Sequence, residues 1–432
     1  MQPVSSWGRL SAEPHEVIPL VDRPGVAARL AARTPGIAFG NGRSYGDVCL
    51  NPAGVLWRTR GLDRFIAFDR STGRLEAESG VLLGEVISLA LPHGWFLPVT
   101  PGTRQVTLGG AVANDVHGKN HHRAGTFGEH VPSLVLRRTD GERIECGPER
   151  RAEWFRATVG GLGLTGVIES LTLQLQPVTS AWVRQWTTPF QGLDAFFACS
   201  ADASAEHAYT VAWIDAGSAR DGEPRGILFA GDHAAEGPPR RERAAPRVPF
   251  TPPFSLVRPT SVRLFDALYH RRHRARPSPQ LVHHRPFFYP LDGVLDWNRL
   301  YGPRGFFQYQ CVLPRAAERD AMRELLRRIA RARAGSFLGV LKTFEARPSA
   351  GLLSFPMAGT TLAIDLPNAG DATRALFDLD AVVAAAGGRL YAAKDGRMPA
   401  ALFRAGYPEL AAFEAYRDPG ISSAMSRRLL GR

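Results

Sequence analysis

Cysteine is scarce. Four occur in 432 residues, Cys49, Cys146, Cys199 and Cys311, none in C-x-x-C spacing, so neither a zinc frame nor a disulfide scaffold follows. No apolar run approaches the roughly 20 residues that cross a bilayer. The opening stretch (MQPVSSWGRLSAEP) lacks the basic start and apolar centre of a signal peptide. The chain therefore reads as cytoplasmic or held at a membrane periphery. Acids are outnumbered, 41 against 53 Lys and Arg, for a net charge of +12, which favours anionic partners. No basic helix, zinc frame or motif-spaced aromatics accompany that excess, which argues against nucleic acid. The dense basic runs at 239–247 and 270–276 suit an anionic membrane surface better, where each Lys or Arg gains about 1 kcal/mol.

Glycine, by contrast, is abundant and ordered. Gly40 to Asp47 (GNGRSYGD) and 101–130 (PGTRQVTLGGAVANDVHGKNHHRAGTFGEH) place glycines where a backbone passes close to a ligand and offers N–H groups to phosphate oxygens. Two such loops, one small sheet apart, point to a large anionic cofactor gripped from two sides. His117, His121, His122 and His130 lack the fixed geometry and third-ligand logic of a zinc site, so no metal is expected, and His121 and His122 suit hydrogen bonds to loop backbone. Gly161 to Gly166 spells G-x-G-x-x-G, but a nicotinamide site needs a strand before it and a helix after it. The order here is reversed, so this is a turn that touches the cofactor.

At 432 residues two domains are the default. Residues 36–175 mix strands at 55–57, 74–77, 133–138 and 167–175 with helices at 82–91 and 149–158. Residues 234–260 are Pro/Arg-rich and read as a mobile loop or a lid. The spacing of Met322, Leu325, Leu326 and Ile329 predicts an amphipathic helix over 316–334. Ala375, Leu376, Leu379 and Val382 predict another, ending before Gly387. Strands at 306–313, 337–342 and 361–366 alternate with these helices, so a sheet covered by helices on one face is expected.

The glycine runs, with TVGGLGLTGVI at 158–168, FFYPLDGVLDWNRLYGPRGFFQYQCVLP at 287–314, Leu353–Pro356 and GGRLYAAKDGR at 387–397, resemble the decaprenylphosphoryl-β-D-ribose 2-oxidase family. That family belongs to the FAD-binding oxidoreductases of the vanillyl-alcohol oxidase type. The resemblance implies an α+β, two-domain FAD fold of that type with an antiparallel-sheet substrate domain covered by helices. It implies an FAD domain over 1–178, a substrate domain over 179–388, and a C-terminal segment over 389–432 completing the FAD domain. Phe39, Gly40, Asn41, Gly42, Arg43, Ser44 and Tyr45 become the first pyrophosphate loop. Gly102, Thr107, Leu108, Gly109 and Gly110 line the second side, Asn114 and His117 lie by the flavin ring, and Ile168 and Tyr391 touch the cofactor. Arg43 stands where some relatives in this superfamily carry a flavin-tethering histidine, so FAD is expected to be non-covalent.

Lys394 matches the family's essential lysine, with His117 as second candidate catalytic group and Tyr45 in support. A lysine desolvated beside a flavin has its pKa lowered towards base work. Gln308, Gln310 and Lys342 match positions that meet the sugar or phosphate. Two departures touch the pocket: Phe288 replaces a tyrosine, and Thr361 and Ala363 replace an asparagine and a cysteine. The implied reaction is oxidation at C2 of a polyprenylphosphoryl-β-D-ribose to the 2-keto sugar, towards cell-wall arabinan precursors. A separate NAD(P)H-dependent short-chain reductase then completes epimerisation. The rival substrates are soluble polyols, aldonolactones or hydroxy acids, since fold does not settle substrate; a flavin-bound scaffold without turnover is the rival of another class.

Overall fold

The computed structural model describes residues 1–431 apart from 220, 241–243, 277, 333–335 and 371. Its N-terminal part holds two sheets. Short strands in the order Gln2–Pro3, Pro14–Pro19, Val55–Arg58 and Gly36–Phe39 form one, the last three running parallel. The other is antiparallel throughout, in the order Phe65–Asp69, Arg74–Glu78, Val167–Gln174, Ser133–Arg137 and Arg143–Cys146. Its central strand is buried along almost its whole length, and the one carboxylate there, Glu169, is paired with Arg137 at 2.8 Å. Such pairing is what a buried charge requires.

The helices expected at 82–91 and 149–158 form as Leu83–Ala90 and Ala152–Thr158. The second starts late because a Gly147–Arg150 bridge turns the chain first. Helix before and strand after Gly161–Gly166 are both present, so the glycine hexapeptide is a helix-to-strand turn.

The second part is one eight-stranded antiparallel sheet. Its order is Gln280–His283, Trp182–Gln191, Arg225–His233, Tyr209–Asp215, Gly339–Phe344, Gly359–Pro367, Phe306–Pro314 and Arg389–Leu390. Helices Leu193–Glu206, Glu318–Arg331 and Ala372–Ala385 pack on it. Glu318–Arg331 buries Met322, Leu325, Leu326 and Ile329, the stripe that three-four spacing dictates. Acids in its first turn and arginines in its last suit the helix dipole. Residues 333 and 334, the expected end of this helix, lie outside the described residues. Alternation along Phe306–Pro314 sends Tyr309, Cys311 and Leu313 into the core and Gln308 and Gln310 to the opposite face.

Two observations bear on the expected organisation. Arg389–Leu390 still pairs with Cys311 and Val312, so the chain leaves the large sheet only at Tyr391, not at 389. It then crosses back: Ser422 donates to the Gly36 carbonyl, Ala424 to that of Leu50, and Arg428 pairs with Asp47. The Pro/Arg-rich segment, of which 241–243 lie outside the described residues, is laid down on a neighbouring stretch. Val248 donates to Leu295, Leu295 to Pro246 and Leu256 to Leu300; the helix Pro259–Arg274 follows, and with Arg271, Arg272, His273 and Arg274 in its last turn it is a basic helix, contrary to the expectation that the chain has none.

Candidate active site

Between the two parts runs a cavity of about 520 Å³. One wall is loop backbone: Gly40–Tyr45, Pro101–Thr103, Gln105–Thr107 and the turn at Leu162–Gly166. The other is the large sheet, through Gln308, Gln310, Leu338, Val340, Lys342 and Ala363. Tyr391, Ala393 and Lys394 close one side, and Arg247 with Leu291–Trp297 edges the mouth.

The first loop turns because Gly42 adopts φ +60°, and a Cβ there would stand 2.9 Å from the Phe39 ring. Gly46 is more demanding: its Cβ would fall 1.6 Å from the Asp395 carbonyl. Only glycine lets the loop meet the segment carrying Lys394, where Tyr45 N–H donates to the Ala393 carbonyl. On the cavity surface, Arg43 Nε, Ser79 Oγ and Asn114 Oδ1 are buried without a hydrogen-bond partner among the described residues. Buried polar atoms are almost always paired, so this wall is built to meet a polar ligand. Val116, Ile168, Val340 and Leu338 add an apolar slot. Glycine-rich backbone, orphaned polar atoms and a flat apolar slot fit a flavin dinucleotide.

His117 sits where the walls meet. Its Nδ1 is 3.0 Å from Lys342 Nζ, and its Nε2 is 3.0 Å from the Gln310 amide. The Gln310 amide nitrogen has only hydrogens to offer, so Nε2 accepts from it and Nδ1 carries the ring proton towards Lys342 as a neutral amine. Burial, with Lys342 nearby, drives the His117 pKa well below its ordinary value. This imidazole is neutral and held at both ends. Lys342 also donates to the Gly118 carbonyl at 3.2 Å; burial, helped by Lys119 and Lys394, lowers its pKa to about 7.

Lys394 lies with Nζ 4.0 Å over the Tyr45 ring. Burial lowers its pKa to about 8, against an opposing pull from Asp365. It is not a surface lysine tied to its neighbour: Asp395 bonds the Arg397 and Met398 amides and pairs with Arg428 at 3.1 Å. Gln308 donates to Asp365 Oδ1 at 2.7 Å. Burial raises the Asp365 pKa to about 7, and its Oδ2 has no partner among the described residues. Asp365 carried no signal of its own; its alternation with Thr361 and Ala363 on one strand face is the clue that would have found it.

The structure brings together Gly40, Asn41, Gly42, Arg43, Ser44, Tyr45, Gly102, Thr107, Gly109, Gly110, Asn114, His117, Ile168, Gln308, Gln310, Lys342, Tyr391 and Lys394 around this cavity. Four expected residues are elsewhere. Phe39 backs the Gly42 turn and lines an adjoining cleft. Leu108 is fully buried in the core. Thr361 stands behind Gln310, its Oγ1 3.3 Å from the amide. Phe288 is buried against Phe96 and Tyr209, because the short helix His284–Phe288 turns it inward; Tyr289 likewise bonds Thr100 at 2.7 Å. The tyrosine-to-phenylalanine departure therefore alters core packing rather than the cavity wall. His122 and His130 bond the carbonyls of His207 and Ala124, as loop histidines should, whereas His121 packs on Phe344.

Residues 26–147 match the FAD binding domain family. Over 98% of its length the chain is 36% identical to the decaprenylphosphoryl-beta-D-ribose oxidase of Mycolicibacterium smegmatis, covering 96% of that protein. It is 39% identical, over 81% of its length, to an uncharacterized protein in the mprA 5′ region of Streptomyces coelicolor, covering all of it. An alditol oxidase from a Streptomyces species is 29% identical over 40% of this chain and 43% of its own length.

Proposed function

The chain belongs to the decaprenylphosphoryl-β-D-ribose oxidase family, FAD-dependent oxidoreductases acting on a CH–OH group, and we propose that it oxidises the C2 hydroxyl of a polyprenylphosphoryl-β-D-ribose to the 2-keto sugar. The observation that carries this reading is the pair of lysines of lowered pKa, Lys394 and Lys342, facing one cavity whose sheet wall presents Gln308 and Gln310. We propose a cofactor domain over 1–178, a substrate domain over 179–388 extended by the strand at 389–390, and the remaining segment to 432 as part of the cofactor domain.

Bound FAD supplies the hydride acceptor. The Asn41–Ser44 backbone and the 101–110 loop would hold its pyrophosphate, and Asn114, Ile168 and Tyr391 would hold its ring. Cys49 lines the same cavity, but burial pushes its thiol up to about 12, so it stays protonated and unreactive. Both nitrogens of His117 are engaged, which favours FAD held without a bond to this histidine. Neutral Lys394 takes the proton of the reacting hydroxyl, the Tyr45 ring lies 4.0 Å from its Nζ and fixes where that nitrogen stands, and the buried Asp365 steadies the ammonium that results. His117 is a positioning residue: it orients Lys342 and Gln310 towards the sugar and phosphate. A separate NAD(P)H-dependent short-chain reductase would return the ketone as the arabino epimer, and the membrane periphery is where such a lipid is met.

The test is product analysis. After turnover on a prenylphosphoryl ribose, trapping with borodeuteride should place deuterium at C2 and give ribo and arabino products together. Deuterium at another carbon would refute the C2 assignment. Turnover of alditols alone would move the enzyme to the soluble-polyol class.

A further inference from the structure

Large apolar side chains are exposed beside the cavity mouth. On the helix Pro259–Arg274, Leu264 and Leu268 stand one turn apart, 63% and 57% exposed, with Phe265 at 40%. Phe250 and Phe254, in the segment leading into that helix, are 67% and 53% exposed. The opposite helix face is committed to the fold, through Val262, Asp266 and Tyr269 against Trp213. Scattered exposed apolar residues need no explanation, but a cluster of this kind marks a contact surface.

The charge around it has one sign. Between 258 and 285 there are seven arginines and a single acid, Asp266, which is buried. Arg263, Arg271, Arg272 and Arg274 are exposed. The patch is also continuous with the cavity. Phe265 packs on Phe337 at 5.0 Å, whose neighbour Leu338 lines the cavity. Leu256 is bonded to Leu300, at the end of the stretch that edges the mouth, and Val294 there is 40% exposed.

We propose that this face, Phe250–Leu256 with the helix Pro259–Arg274, seats on an anionic lipid bilayer. Its apolar side chains enter the acyl boundary while the arginines meet headgroup phosphates. The proposal rests on the lipid-phosphate reading above. The sheet wall and mouth of the cavity present Gln308, Gln310, Lys342 and Asp292, polar groups that suit a sugar phosphate and not an apolar polyprenyl tail. The tail then stays in the bilayer while the sugar phosphate enters from a mouth held at the membrane surface.

The experiment is co-sedimentation of the FAD-loaded enzyme with vesicles of phosphatidylcholine, with and without phosphatidylglycerol. The wild type should bind the anionic vesicles preferentially. Arg271→Gln/Arg272→Gln should weaken that binding about thirtyfold, and Leu264→Ser/Leu268→Ser should abolish it. Both variants should keep the flavin spectrum and turn over a short-chain prenylphosphoryl ribose in solution as the wild type does. Wild-type binding by both variants would overturn the proposal. So would a serine variant that binds vesicles but changes from dimer to monomer, since the patch would then join two copies. Vesicle binding without turnover of any prenylphosphoryl ribose would support the surface and refute the substrate reading instead.

Discussion

Replacing Lys394, whose Nζ lies over the Tyr45 ring, by methionine keeps an unbranched side chain and removes the amine. With a pKa of about 8, about one-tenth of wild-type Lys394 is neutral at pH 7 and about nine-tenths at pH 9. If the neutral amine takes the hydroxyl proton, the rate of flavin reduction rises roughly tenfold across that interval, with an inflection near 8. Lys394→Met should lower the rate by about 10² to 10⁴, the usual worth of a general base, and flatten the profile. Anaerobic stopped-flow absorbance reads the flavin directly, and an unchanged resting spectrum shows that FAD is still bound. A variant that keeps the inflection would assign the base elsewhere, with Lys342, at about 7, next in line. A wild-type rate that falls with pH would mean that the ammonium, not the amine, is the working form.

Lys342→Met removes the group bonded to His117 and Gly118. Loss of a charge-assisted contact to the substrate should raise KM about 10- to 100-fold with flavin content unchanged, by steady-state kinetics. Gly46→Ala would drive a methyl into the Asp395 carbonyl; purified protein should be flavin-poor, and a wild-type flavin-to-protein ratio would contradict the close approach. Asp266 is buried beside Asp215, which raises its pKa to about 8. Its folded pKa lies above its unfolded value, so its stabilising proton is fully present below about pH 4 and lost as pH rises to about 8. Asp266→Asn should therefore raise Tm at pH 9 and leave it unchanged at pH 4; a lower Tm at pH 9 would show that the carboxylate pays its way as an ion.

Local pattern made much of this molecule legible. The three-four spacing at Met322–Ile329 and the glycine order at 40–46 and 102–110 carry their physics in neighbouring residues, and the structure keeps both. Phe288 was not legible, because whether it lines a cavity depends on which way a five-residue helix turns it. The Lys342–His117 contact spans 225 positions and arises only when Gly339–Phe344 is placed in the large sheet. The 234–260 segment lacks periodicity, and its partners at 295–300 lie far along the chain, so composition alone suggested a loop. Asp365 looks like an ordinary strand-end acid until its register opposite Gln308 is known.

The measurement that bears most directly on the function is the anaerobic spectrum of the purified FAD-loaded protein before and after a prenylphosphoryl ribose is added. Bleaching of the oxidised flavin by that lipid, and not by ribose or simple polyols, is the expected result. Bleaching by a soluble polyol alone, or a colourless protein that takes up no FAD, would contradict it.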